Sequence, residues 1–246
     1  MAKIHLLSDL HLEMRKNLDI NTLIQEVDIL VVAGDLHVGR TNVAKYLNYF
    51  AMHYKYVVYV LGNHELYHGL GLNDFDQDNF IQYLKPNVFF LNPGTVILEG
   101  ITFIGAPLWT NFRGNDIARK IASAFINDFK RARVTTKDYI DAYDYQLAYM
   151  RGMYEQTEGK RVFVTHFMPA KDCVNPKWLN VDSTTAYLNY YFCNDLGTYI
   201  STLKDTTWLF GHTHDDTDVT IGTTRCVANP LGYPGEKLYK PFILEI

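Results

Sequence analysis

A chain of 246 residues with 27 acidic and 23 basic side chains, a formal charge of −4 and its densest basic cluster at Lys130-Arg131-Ala132-Arg133 is not built to hold nucleic acid by neutralising phosphates. Its 48% hydrophobic and 14% aromatic residues suffice for a substantial buried core. Cys173, Cys193 and Cys226, odd in number and outside any CxxC spacing, argue against a disulfide framework or a thiolate zinc site, and without a leader or an apolar run long enough to span a bilayer a cytoplasmic protein is expected.

Lys3–Ser8 reads as a short apolar strand that empties into Asp9-Leu10-His11. In extended backbone, residues i and i+2 share a side, so this acid and imidazole are expected to reach one metal ion. A polar linker with a short helix near Ile20–Val27 leads to Ile29–Asp35, an unbroken apolar run closing on glycine and a carboxylate. Such a run is a buried strand that delivers Asp35 to its carboxyl end, where ligand sites of open α/β sheets lie. Thr41–Lys55 carries Val43, Ala44, Leu47, Phe50, Ala51 and Tyr54 at helical spacing and is read as a crossover helix. Tyr56–Leu61 is the third strand and ends in Gly62-Asn63-His64-Glu65, so the chain opens with a parallel sheet.

A polar helix near Asn73–Leu84 and a strand at Asn87–Leu91 follow, then a tight hairpin of Thr95–Glu99 and Ile101–Ala106 about Gly100. Ile117–Lys130 and Lys137–Glu158 read as helices, the tyrosines of the second first as a packing face and second as a cleft wall. Arg161–Thr165 is a strand delivering His166. A proline-punctuated loop and a helix near Asp195–Leu203 precede the strand Thr207–Phe210, which delivers Gly211-His212-Thr213-His214. Asp218–Ile221, Thr224–Ala228 and Phe242–Ile246 make the C-terminal stretch β-rich. With no repeat and no linker long enough to separate cores, one domain over 1–246 is expected, with a helical insertion at about 107–160 bordering the active site.

Five strands thus end in Asp9/His11, Asp35, Asn63/His64, His166 and His212/His214. Oxygen and imidazole donors without thiolate suit manganese, iron or zinc, and seven such donors are too many for one four-coordinate ion and about right for two that share a carboxylate.

The pattern Asp9-Leu10-His11, Gly34-Asp35, Gly62-Asn63-His64-Glu65, His166 and Gly211-His212-Thr213-His214 resembles the calcineurin-like metallophosphoesterases. The resemblance implies an α/β fold, a four-layer αββα sandwich of two mixed sheets flanked by helices. It implies Asp9, His11, Asp35 and His214 as ligands of one divalent metal ion and Asp35, Asn63, His166 and His212 as ligands of a second, with manganese first and iron, zinc, nickel or cobalt also compatible. It implies hydrolysis of a phosphomonoester or phosphodiester of a small molecule by a metal-held hydroxide whose pKa the ions lower, with His64, beside a ligand but not itself one, as the catalytic residue that protonates the leaving oxygen or stabilises transition-state charge. Flanking segments at Leu108–Phe112, Asn127–Phe129 and Asn229–Gly235 look like a group of small bacterial and phage phosphohydrolases, although Phe167 and Leu231 stand where that group often has His and Arg. The segment after Asp35 does not follow the Gly-Asp-x-x-Asp-Arg-Gly of protein phosphatases. His37, Trp109 and Tyr143 are expected to contact the substrate, the aromatics favouring a flat group such as a nucleobase. The alternatives are a nuclease acting on DNA or RNA and, third, a non-enzymatic interaction module on the same fold. Neither membrane nor nucleic acid is expected as a partner.

Overall fold

The computed structural model describes residues 1–179 and 181–246. Strands β1 (Lys3–Leu7), β2 (Ile29–Ala33) and β3 (Tyr56–Val60) are buried along nearly their whole length, as parallel strands covered on both faces must be. With β4 (Val88–Phe90) they run parallel, and β11 (Ile243–Glu245) pairs antiparallel with β1, giving the order β11-β1-β2-β3-β4. The second sheet comprises β5 (Gly94–Leu98), β6 (Ile101–Gly105), β7 (Arg161–Val164), β8 (Thr206–Phe210), β9 (Thr217–Ile221) and β10 (Thr224–Ala228) in the order β5-β6-β7-β8-β10-β9, with only the two edge strands antiparallel to their neighbours.

Period-2 alternation decides which residues face the other sheet. Ile4, Leu6, Ile29, Val31, Ala33, Val58 and Val60 meet Ile101, Phe103, Val162, Val164, Leu209 and Val227 in a purely aliphatic and aromatic inner layer. The intervening residues point outward to helices. Leu30, Val32, Val57 and Tyr59 lie with Val43, Leu47 and Phe50 of α1 (Arg40–Phe50), while Ile104, Phe163 and Trp208 lie with Tyr139, Tyr143 and Met150 of α5 (Thr136–Gln156). The two mixed sheets packed face to face under helices are the expected αββα arrangement.

Four helical expectations are revised. The short helix near Ile20–Val27 is a 3-10 turn, Ile20–Leu23, ended by the extended Ile24. The polar helix near Asn73–Leu84 contracts to a 3-10 turn, Leu72–Phe75, followed by the short α2 (Gln77–Ile81). Ile117–Lys130 is broken into α3 (Asp116–Phe125) and α4 (Asp128–Arg131), because Ile126 turns extended at φ −77°, ψ 136°. The proline-punctuated stretch holds α6 (Ser183–Phe192), followed by the single turn α7 (Gly197–Ile200). The Thr, Asn and Tyr residues of α6 have modest helix propensity. Asp182 starts the helix by accepting from the amides of Thr184 and Thr185, and packing on α3 sustains it. Among the described residues no helix is long and apolar enough to cross a membrane, and all three cysteines are buried thiols.

His5 on β1 is fully buried between two tyrosine hydroxyls, Tyr54 at 2.7 Å and Tyr239 at 2.7 Å. Burial lowers its pKa from 6.5 to about 4. A base with a lowered folded-state pKa contributes stability that is complete above 6.5 and lost as pH falls toward 4. His5→Phe should therefore shrink the stability difference between about pH 7 and about pH 4.5 by about 2 kcal/mol, read from urea unfolding at both pH values; an unchanged difference would show that His5 carries none of it.

Candidate metal centre

The carboxyl ends of β1, β2, β3, β7 and β8 lie together, and the loops leaving them bring the seven expected donors and His64 into one cluster, buried except at the partly exposed His214. The backbone is unusual there. Asp9, His11, Asp35, His212 and His214 all take positive φ, between 43° and 68°, a region costly for side chains other than glycine. Asp9 and His11 thus do not share a side through extended backbone, as their spacing suggests; the chain has already turned left-handed, and each reaches His214 by that turn. Two motif glycines permit the closeness. A Cβ at Gly34 would run into the His166 ring, and one at Gly62 into the Asp35 carboxylate.

Asp35 lies at the centre. Its Oδ2 is 3.7 Å from His11 Nε2 and its Oδ1 is 3.5 Å from His166 Nε2, so one carboxylate addresses two clusters. On the first side, His214 Nδ1 donates to Glu236 at 2.9 Å, which leaves its Nε2 an acceptor facing His11 Nε2 at 3.0 Å, while the buried His11 Nδ1 has no hydrogen-bond partner and lies 3.5 Å from Glu13. On the second, His166 Nδ1 donates to the Ala33 carbonyl at 2.9 Å and Asn63 Nδ2 donates to Asp128 at 2.9 Å, so His166 Nε2 and Asn63 Oδ1 face each other as two acceptors at 3.1 Å. His212 Nε2 is buried without a partner. Converging lone pairs repel unless a cation lies among them. A proton is a poor substitute, because burial lowers the pKa of His11 to about 4 and also holds His166 and His212 below the ordinary imidazole range. Burial, then Glu65 and Asp9, hold the Asp35 carboxyl well above its usual range, which is the cost a bound cation would relieve. The donor set fits divalent metal on both sides of Asp35.

The groups that orient these donors stand beyond the seven, and of them only Glu65 belongs to the motifs of the sequence. Glu65 is a buried clamp, accepting from the amides of Leu36 at 2.7 Å, Gly62 at 2.8 Å and Asp35 at 3.2 Å, and so joins the loops after β2 and β3. Glu13 accepts from His64 Nδ1 at 3.0 Å; burial pushes its carboxyl up, but its contacts with His11 and His64 win and bring it down to about 2. Its position two residues past His11 was the available signal. Asp128, at the helix break, accepts from Asn63 and Tyr67 on Oδ1 and from Tyr139 and Tyr191 on Oδ2. It thereby fixes which way the Asn63 amide points. Asp128→Asn removes the charge that draws Asn63 Nδ2, and metal affinity should fall about 10- to 100-fold in a calorimetric titration of the metal-free protein; an unchanged affinity would deny Asp128 that role.

The expected substrate contacts lie elsewhere. Trp109 is 1% exposed and stacks on Tyr139 at 4.5 Å, and Tyr143, 5% exposed, is on the buried side of α5 itself, so both pack the outer layer and do not line the cleft. His37 turns away, donating to the Val38 carbonyl at 2.8 Å and stacking on Tyr46 at 5.4 Å. The cleft over the cluster, about 390 Å³, is instead walled by α6, by residues 168–178 and by Tyr233. The Tyr233 hydroxyl is 3.2 Å from His64 Nε2, and its ring lies 4.6 Å from that of His11. Of the segment 107–160, only Ile126, Asn127 and Asp128 reach this cleft. Phe167, where the resembled group often has His, covers the His212 ring at 4.1 Å.

Among known proteins, an uncharacterized protein of Acanthamoeba polyphaga mimivirus is 25% identical over 268 residues, covering 96% of this chain and 93% of that protein. The fold is shared with the phosphopantetheinyl hydrolase of Mycobacterium tuberculosis, at a TM-score of 0.72, 17% identity and coverage of 95% of this chain and 90% of that one. It is also shared with a putative 5'-nucleotidase of Staphylococcus aureus, at a TM-score of 0.51, 14% identity and coverage of 94% of this chain and 48% of that one. Residues 2–216 match the calcineurin-like phosphoesterase family, and they span every donor described above. The chain belongs to the calcineurin-like phosphoesterase family and is a metal-dependent phosphoric ester hydrolase.

Proposed function

We propose that this protein hydrolyses the phosphomonoester or phosphodiester of a small molecule at a centre of two divalent ions. The observation that carries the reading is the pair of acceptor contacts flanking one carboxylate, His11 to His214 at 3.0 Å on one side of Asp35 and His166 to Asn63 at 3.1 Å on the other. Asp9, His11, Asp35 and His214 would hold one ion and Asp35, Asn63, His166 and His212 the second, manganese being the first candidate. Bound there, the ions would neutralise phosphate charge and make water a nucleophile near neutral pH. The chain supplies the rest. Glu13 holds Nδ1 of His64 as a donor and aims Nε2 toward Tyr233 and the cleft; as the imidazolium, protonated on both nitrogens and paired with the Glu13 carboxylate, His64 would pass its Nε2 proton to the leaving oxygen and become neutral. The Asp35 carboxylate accepts from the His64 amide at 2.9 Å, so the proton donor and the shared ligand are held as one unit.

The test is to strip the protein with chelator, restore manganese, count ions by elemental analysis, and assay aryl phosphates, cyclic nucleotides, dinucleotides and oligonucleotides. Two ions per chain with hydrolysis of a small ester is the expected result. One ion with full activity would overturn the dinuclear centre, and turnover of oligonucleotides alone would favour a nuclease.

A further inference from the structure

The cleft beside the metal cluster is lopsided. On one side stand Asp35, Asn63, His64, His212 and His214; on the other, Ile126, Met168, Val174, Trp178, Leu188 and Phe192 form an apolar wall. Its volume of about 390 Å³ is that of a small-molecule site. Among the described lining residues there is no Lys or Arg. Neighbouring cations are already engaged. Lys177 pairs with Asp215 at 2.6 Å, and Arg113 donates to the carbonyls of Cys193 at 3.0 Å and Asn189 at 3.3 Å. The remaining charges at the cleft are acidic, since Asp128 and Glu236 both line it.

A second phosphate on the substrate would find no Lys or Arg among the described lining residues to pair with and two carboxylates to repel it, whereas an apolar group would displace water from the largely apolar wall. We propose, building on the phosphoesterase reading, that the substrate carries a single phosphate and an uncharged, apolar body seated between α6 and residues 168–178. Dinucleoside polyphosphates and nucleic acids are thereby disfavoured as substrates, and the selectivity element is α6. The apolar body lies against Leu188 and Phe192 while its phosphate meets the donors around Asp35.

The experiment uses the manganese-loaded protein and two series of esters, n-alkyl phosphates and n-alkyl 4-nitrophenyl phosphates, each from butyl to octyl. Within each series the leaving group is nearly constant and only the apolar length changes. In whichever series is turned over, kcat/KM should rise with each methylene by up to about fourfold, equivalent to ~0.8 kcal/mol of buried CH2. Placing a second phosphate on the far end of the octyl chain should lower kcat/KM at least about tenfold. In Leu188→Lys the octyl-to-butyl ratio should flatten and the bisphosphate should recover; because each is a ratio within one variant, a general loss of activity cancels. Turnover of the butyl ester with no dependence on chain length, or with the bisphosphate equal to or better than the octyl ester, overturns this inference and leaves the phosphoesterase reading standing. Absence of turnover of every ester in both series overturns the two together.

Discussion

Asp35→Asn should reduce turnover about 10³-fold or more, equivalent to ~4 kcal/mol of transition-state stabilisation, while raising the melting temperature of the metal-free protein. The two effects share one cause. The Asp35 oxygens approach both imidazole clusters, at 3.7 Å and 3.5 Å, so in the proposed two-ion centre neutralising the carboxylate should weaken the hold on both ions. Without metal the same charge is a liability, because burial, then Glu65 and Asp9, raise its pKa. An acid with a raised folded-state pKa binds more protons folded than unfolded. Its stabilising contribution is complete only below its ordinary pKa and falls as pH rises through the folded value. Asparagine has no proton to lose and removes that cost at neutral pH. It also tolerates the positive φ of 53° at this position, so the change acts through charge rather than backbone. Melting curves with and without manganese, alongside kcat, check both halves. In the wild type manganese should raise Tm by mass action, and in the variant the rise should be much smaller. A variant that keeps two ions and full activity would remove Asp35 from the centre of the site.

His64→Ala should lose about 10²- to 10⁴-fold in turnover yet keep its metal, since both His64 ring nitrogens are taken by hydrogen bonds, to Glu13 and Tyr233, although one of them comes within 4.8 Å of the His11 and Asp35 donors. The loss should be greatest for alkyl esters, whose leaving oxygen needs a proton, and least for nitrophenyl esters, whose leaving group departs as an anion. Glu13→Gln keeps the shape and removes the carboxylate that orients His64, and should cost about 10- to 100-fold with the same leaving-group trend. Equal losses on the two ester classes would leave charge stabilisation, not proton donation, as the work of His64.

By itself the sequence determined the strand ends and the residue types that gather there. Ile29–Ala33 and its counterparts announce buried strands by apolar composition, and Asp9, His11, Asp35, Asn63, His166, His212 and His214 follow such runs at once, so strand end and chemical type both stand in local text. The sandwich of two sheets is also foreshadowed, since β2 and β3 carry only aliphatic and tyrosine residues and therefore need cover on both faces. Only the tertiary structure decided how the donors are aimed and what walls the cleft. Asn63 is turned by Asp128, 65 positions away, and His214 by Glu236, 22 positions away; no spacing rule connects them, because those hydrogen bonds join loops brought together by the packing of two sheets. Trp109 and Tyr143 carry the right chemistry for a stacking wall, but Trp109 stacks on Tyr139 of α5 and Tyr143 is on the buried side of that helix, because periodicity reports the face of an element on which a residue sits and not which neighbour covers that face. The wall is made instead by α6, a helix whose weak intrinsic propensity leaves its formation to the Asp182 cap and to contact with α3, and contact with a distant segment is not written in the residues that make it.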